Sequence, residues 1–185
     1  MSSSLTANVA ILTTAKVKDT GACFISAAKK DTGFKLISRM EIFPNASVLA
    51  TVQNSSEHKL FNNSESGQEL YEDKETATLW QPIGGFLTRK NRAPTATAGV
   101  LVLAKFTCIE NEKAVQNLVK VLQTYCDWVE SNELTTYTYC VMTSQTASKE
   151  VLLFERYMDL PSVKTHGQTK EFKSMSETRA EALYK

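Results

Sequence analysis

The chain of 185 residues has only two histidines, His58 and His166, and four cysteines, Cys23, Cys108, Cys126 and Cys140. No two cysteines form a CxxC pair, and their spacings suit neither a zinc site nor a disulfide framework. The two histidines are also far apart in sequence, so no metal-ligand set is expected. Charge of one sign is equally scarce: 21 basic and 20 acidic residues leave a net charge of +1. With no long basic run, an electrostatic nucleic-acid binder and a polybasic membrane anchor are both excluded. No apolar window is long enough to span a bilayer. The opening "MSSSLTANVAILTTAKV" has no basic n-region, and threonines break its apolar run, so it reads as a strand and not as a signal peptide. Three of the cysteines stand among apolar neighbours and read as buried free thiols. A cytoplasmic protein with reduced thiols is the expectation.

The composition is that of a chain able to bury a core without covalent staples, 42% hydrophobic and 22% charged. The clearest break is "TRKNRAPTATAG", Thr88 to Gly99, polar and carrying Pro94, which reads as a linker. The expected organisation is a first domain over 1–90, a linker over 91–98 and a second domain over 99–185.

In the second domain "GVLVLAKFTC" (Gly99–Cys108) is apolar and β-branched, a strand. "ENEKAVQNLVKVLQTYCDWVESN" (Glu110–Asn132) repeats apolar residues at Val115, Leu118, Val119, Leu122, Tyr125, Cys126 and Val129. That stripe has a 3.6-residue period and predicts an amphipathic helix of about six turns. "LTTYTYCVM" (Leu134–Met142) and "EVLLFERYM" (Glu150–Met158) read as strands. In Leu160–Leu183 Pro161 and Ser162 suit a first helical turn, and Gly167 is expected to break the helix in two. The order β-α-β-β-α is the split βαβ arrangement of ferredoxin-like domains, an α+β class with helices on one face of an antiparallel sheet.

The first domain follows a similar order. Asn8–Val17 parallels the Gly99 strand, Cys23–Phe43 reads as strand, turn "KKDTG" and strand, and Ala46–Glu72 reads as helical. Overlaid, Gln53 falls near His166 and His58 near Glu171, an internal repeat of roughly 110–115 residues. The first copy has lost its long helix, because only "KDTGA" separates its first two strands and a crossover needs more. "LWQPIGGFLTRK" (Leu79–Lys90) adds a strand, or a hairpin turning at Gly84-Gly85.

The C-terminal half resembles the antibiotic biosynthesis monooxygenase family of dimeric α/β-barrel proteins. The resemblance is carried by "VLVLAKF", the long helix, "NELTTYTY", "VLLFERYMD" and "SVKTHGQTKEFKSM". Glu155 and Tyr157 match a Glu-x-aromatic pair of the family's third strand, and His166 matches a histidine of the following helix. A second family histidine falls at Glu171 here, a departure. The resemblance implies two ferredoxin-like repeats in one chain, with antiparallel sheets packed as in the family's dimeric barrel, and it leaves a further homodimer open. It also implies oxidation of a small aromatic substrate, such as a polyketide of specialised metabolism, by O2 without metal, flavin or other cofactor. Haem is not implied, because no histidine follows the phenylalanine matched by Phe172.

On that resemblance His166, Tyr157 and Glu155 are the catalytic candidates; Phe154, Tyr139, Trp128 and Phe106 are the substrate-binding ones, joined by Trp80, which stands outside the family core and is a candidate lid over a pocket. His166 is the candidate base, since imidazole titrates near neutrality. Plainer roles stand beside these. His166 also fits a helix-surface histidine bonded to a neighbour, Glu155 a strand ion pair with Arg156, the tyrosines cross-strand packing, and Trp128 and Trp80 core or rim. A non-oxidative cyclase, isomerase or decarboxylase on the same scaffold, and a non-catalytic binding protein, are the competing readings, because fold does not fix chemistry.

Overall fold

A computed structural model of the chain describes residues 8–17, 35–63, 76–89, 97–108 and 112–184. The elements in chain order are β1 (Val9–Val17), β2 (Lys35–Phe43), α1 (Ala46–Asn54), α2 (Ser56–Asn63), β3 (Thr76–Phe86), β4 (Val100–Thr107), α3 (Glu112–Asn132), β5 (Thr136–Ser144), β6 (Glu150–Tyr157), α4 (Leu160–Gln168) and α5 (Lys170–Tyr184). The chain forms two compact units, Met1–Gln81 and Pro82–Lys185. The expected strand beginning at Cys23 and the stretch 64–72 lie outside the described residues. Among the described residues no helix is long and apolar enough to cross a membrane.

In the second unit β4 and β5 both pair antiparallel with the central β6. The last residues of β3 lie beside β5. The order β4-α3-β5-β6-α4 is the expected split βαβ. The apolar stripe of α3 buries Leu118, Leu122, Cys126 and Val129 completely against Tyr139 and Val141 of β5, Val151 and Leu153 of β6, and Met175 of α5. Each such side chain contributes about 1.5–3 kcal/mol of transfer free energy, which is why the 3.6-residue pattern alone located this helix.

β3 runs unbroken through Gly84 and Gly85, so the hairpin alternative is corrected to a single strand. The reason is a close approach rather than a turn. Gly85 has φ +81°, and a Cβ there would collide with the carbonyl oxygen of Tyr139 on β5. Only glycine fits that backbone and that gap.

A second correction concerns Gly167, which stays inside α4. The helix breaks at Thr169, in extended conformation at φ −64° and ψ 150°. Its hydroxyl donates to the His166 carbonyl at 2.9 Å and accepts from the Phe172 N–H at 3.1 Å. One side chain thus closes one helix and caps the next. Pro161 and Ser162 stand in the first turn as expected, and Asp159 caps it by accepting from the Ser162 N–H at 2.9 Å.

In the first unit β1 lies between β2 and the Thr76–Trp80 part of β3, antiparallel to both. Val9, Ile11 and Leu49 form its small core, with Phe43 and Leu79 against them. The segment after β2 repeats the geometry after β6. Asn45 caps α1 through the Val48 N–H as Asp159 caps α4. Ser55, at φ −64° and ψ 151°, breaks α1 from α2 as Thr169 breaks α4 from α5. Matching these caps fixes the repeat and corrects the overlay by one residue: Val52, not Gln53, stands opposite His166, and His58 opposite Phe172.

Candidate functional site

Period-2 alternation places Glu155 and Tyr157 on the β6 face that carries Val151 and Leu153 towards α3, and Phe154 on the opposite face. Tyr139 on β5 pairs with Glu155 and shares its face. His166, in the last turn of α4, is inserted among these side chains and is only 4% exposed. Its imidazole is walled by four aromatic rings, with centroid distances of 5.4 Å to Tyr139, 5.4 Å to Tyr157, 5.7 Å to Tyr125 and 4.9 Å to Phe172. His166 is therefore not a surface histidine.

The polar contacts of this cage are few. His166 Nδ1 lies 2.7 Å from Glu133 Oε2. Thr136 Oγ1 donates to that same oxygen at 2.9 Å. On the other side the Tyr157 hydroxyl donates to Glu155 Oε2 at 2.5 Å. His166 Nε2, the Tyr139 hydroxyl and Glu133 Oε1 are buried without a hydrogen-bond partner. Unpaired polar atoms are costly inside a protein, and each calls for a cause such as strain, a catalytic role or a bound water or ion.

Burial sets the electrostatics. It pushes the Glu155 carboxyl above its ordinary range, a shift that the Tyr157 hydrogen bond and the nearby His166 partly offset. It raises the Tyr125, Tyr139 and Tyr157 hydroxyls far beyond theirs, so all three are neutral phenols at neutral pH. The three described cysteines are free and buried, and burial drives the Cys140 thiol up to about 12. They are inert packing groups.

Glu133 was not singled out from the sequence. It follows the C-terminus of α3, where a negative charge meets the negative end of the helix dipole. That mismatch is the one local signal it gives, and Glu130 gives the same one. The structure supplies the compensation in Arg89, which falls in the stretch read as a linker. Its guanidinium donates to the carbonyls of Val129 (3.1 Å), Glu130 (2.7 Å), Glu133 (2.5 Å) and Thr136 (2.6 Å). It also lies over the Phe86 ring, 4.7 Å from the centroid. A cation thus satisfies the terminal carbonyls of α3 and pins the turn that carries Glu133.

The other candidates are scattered. Trp128 is half-buried and stacks on Tyr125, 5.6 Å between centroids and 9° between planes. Phe106 shares the helix-side face of the sheet but pairs with Val151, at the far end of β6 from Glu155. It lies under the Arg179 guanidinium, 5.1 Å from the ring centroid. Trp80 belongs to the first unit, is 1% exposed, and donates its indole N–H to Thr78 Oγ1 at 2.8 Å. Its N–H is occupied, and it has the environment of a core side chain.

A groove of about 450 Å³ runs between α3 and α5, lined among others by Val121, Tyr125, Trp128, Glu171 and Met175. Tyr125 is common to this groove and to the cage around His166. The size suits a small organic ligand. Among the described residues no group of three or more histidine, cysteine, aspartate or glutamate side chains could hold a metal ion.

The first unit lacks this constellation. By the cap alignment Glu41, Phe43 and Val52 stand where Glu155, Tyr157 and His166 do. The acid is kept, but the hydroxyl and the imidazole are absent. Glu41 pairs instead with Arg39 at 3.0 Å.

No family model matches the chain, and no curated protein matches it by sequence. Solved structures do match. A presumed monooxygenase from Fusobacterium nucleatum superposes with TM-score 0.75 at 12% identity, over 97% of this chain and 88% of that one. An anthrone oxidase-like protein matches with TM-score 0.61 at 8% identity, over 97% and 87%. A ferredoxin-fold protein related to antibiotic biosynthesis monooxygenases, from Listeria monocytogenes, matches with TM-score 0.50 at 6% identity, over 95% and 86%. At these identities the likeness is one of fold. It is the fold that the sequence resemblance implied, that of antibiotic-biosynthesis-monooxygenase-like proteins.

Proposed function

We propose that the protein is a cytoplasmic, cofactor-independent monooxygenase that oxidises an electron-rich aromatic molecule, such as a phenolic polyketide or anthrone of specialised metabolism, with O2. The observation that carries this reading is the buried His166 imidazole, closed in by aromatic rings, with Nε2 left without a partner. The fold it shares with monooxygenase-like proteins supports it.

The chemistry asks little of a protein. Triplet O2 reacts slowly with closed-shell molecules. A substrate that loses a proton to His166 Nε2 becomes an anion able to give one electron to O2. The resulting radical and superoxide combine through a new C–O bond. The peroxide anion so formed takes a proton back from the imidazolium, and the resulting hydroperoxide loses water, leaving a carbonyl where a CH2 stood. One O2 is consumed, one oxygen atom enters the product, and the other leaves as water. The Tyr139 hydroxyl, which has no partner in the cage, offers its hydrogen to the oxyanion of the deprotonated substrate, and the apolar walls exclude bulk water. Substrate approaches through the α3–α5 groove, with Tyr125 as the side chain to be displaced.

The test is oxygen uptake by metal-free protein supplied with an anthrone. Stoichiometric uptake, reduced 10²–10⁴-fold in His166→Ala, is the expected result for loss of a general base. Turnover that persists without oxygen would replace the oxygenase with a cyclase, isomerase or decarboxylase. Binding without turnover of any candidate would leave a carrier.

A further inference from the structure

We infer that Glu133 is a positioning residue for this site: its carboxylate holds His166 in the tautomer that carries hydrogen on Nδ1 and leaves a lone pair on Nε2. The inference rests on the reading of His166 as the base, and it specifies how that base is made competent.

The hydrogen between the two groups can be assigned from the geometry. Glu133 Oε2 already accepts from Thr136 Oγ1 at 2.9 Å. The hydrogen on the 2.7 Å contact to His166 Nδ1 therefore belongs to the imidazole. Nε2 faces the cage without a partner. A hydrogen there would be an orphaned buried donor, which folded proteins tolerate less readily than an orphaned acceptor. The ionisable groups that face the ring from the packed elements are Tyr125 of α3, Tyr139 of β5, and Glu155 and Tyr157 of β6. None takes a hydrogen bond from Nε2. Glu155 is already engaged by the Tyr157 hydroxyl.

The positioning has a second layer. Glu133 is placed by its backbone, whose N–H donates to the Val129 carbonyl at 3.0 Å and whose own carbonyl accepts from Arg89 at 2.5 Å. Arg89 holds the carbonyls on either side of it as well. The carboxylate therefore does not depend on a flexible loop to find the imidazole. Once Nε2 has taken a proton from substrate, the same carboxylate faces an imidazolium and stabilises it, which lowers the barrier to the transfer.

A free histidine side chain prefers hydrogen on Nε2, so the opposite tautomer in solution is a discriminating observation. The protein has only two histidines, and His58→Gln assigns them in a two-bond ¹H–¹⁵N spectrum of ¹⁵N-histidine-labelled protein. The expected wild-type spectrum shows His166 with a protonated Nδ1 and a bare Nε2. In Glu133→Gln a mixture of tautomers is expected, because the amide can present either oxygen or N–H to Nδ1. Oxygen uptake should fall roughly 10- to 100-fold in kcat, with KM within about twofold, and Glu133→Asp should recover part of both. A wild-type His166 carrying its hydrogen on Nε2 would overturn the inference, as would a Glu133→Gln spectrum that keeps the wild-type tautomer. The wild-type spectrum decides the matter even if Glu133→Gln fails to fold. Tautomers that mix while oxygen uptake is unchanged would uphold the positioning by Glu133 and refute His166 as the base.

Discussion

Replacing Gly85 by alanine and replacing Gly167 by alanine add the same methyl group and should move stability in opposite directions. Gly85 has φ +81°, where an L-residue is strained by about 1–2 kcal/mol. Its new Cβ would also meet the Tyr139 carbonyl oxygen and lie 3.0 Å from Cys126 Sγ. The first is backbone of the neighbouring strand and the second is fully buried, so neither can yield cheaply. Strain and overpacking together make about 3 kcal/mol, or a fall in Tm of roughly 6–12 °C for a chain of this length. Gly167 is helical, has no positive φ, and its new Cβ would have no atom within 4 Å. Alanine there should stabilise by about 0.5–1 kcal/mol, chiefly by restricting the unfolded chain, which raises Tm by roughly 1–4 °C. Calorimetry on the two variants is the assay. The ¹⁵N resonances of His166 are a second readout, because Tyr139 joins Gly85 to the cage. A Gly85→Ala Tm within about 2 °C of wild type would refute the close approach of β3 to β5. A Gly167→Ala variant less stable than wild type would refute the placement of Gly167 inside α4.

Glu155→Gln should remove a pH dependence. Burial raises the folded carboxyl above its ordinary 4.5. Below that value both folded and unfolded chains hold the proton. Above it the unfolded chain loses the proton first, so stability falls as pH rises until the folded Glu155 also ionises. Glutamine carries no such proton, so urea midpoints measured from about pH 4 to 8 should lose that downward slope, with the variant more stable than wild type at the upper end. A parallel slope in both proteins would contradict the burial of Glu155. Arg89→Met keeps the apolar stem and removes the donors that four carbonyls share. A loss of about 2 kcal/mol is expected, partly regained by Arg89→Lys, whose single ammonium cannot fork among them. An unchanged melting temperature in Arg89→Met would return this residue to the linker.

The stripe on α3, the β-branched runs of β4, β5 and β6, and the Pro161–Ser162 helix start were all legible, because each is decided by neighbours a few residues away. The break between α4 and α5 was placed at the wrong residue. Propensity points to Gly167, but a threonine hydroxyl that caps in both directions outweighs the weak helix preference of one glycine. The hairpin alternative at Gly84-Gly85 missed for a similar reason. A glycine pair signals an unusual backbone, and the sequence does not say whether the cause is a turn or a neighbouring strand. Of the candidate site, His166, Tyr157 and Glu155 were named through their match to a family pattern and Tyr139 as a substrate-binding candidate, and the fold brings these four side chains together. Phe154 is sent to the other face of the sheet, Phe106 to the far end of β6, and Trp80 belongs to the first unit.

The sequence by itself determined most of the described helices and strands of the second unit, their order, and a first unit with no histidine at the place of His166. Those outcomes follow from periodicity, capping and composition, which act locally. Only the tertiary structure decided that Glu133 meets His166 across 33 residues. It alone decided that Arg89, in an unremarkable polar stretch, closes the end of α3 from 40 or more residues away. Such contacts leave no local trace, because a carboxylate or a guanidinium is compatible with a solvated surface wherever it occurs. Its partner is chosen by how the sheet and helices pack, and that packing buries His166 with one nitrogen held by Glu133 and the other facing the cage.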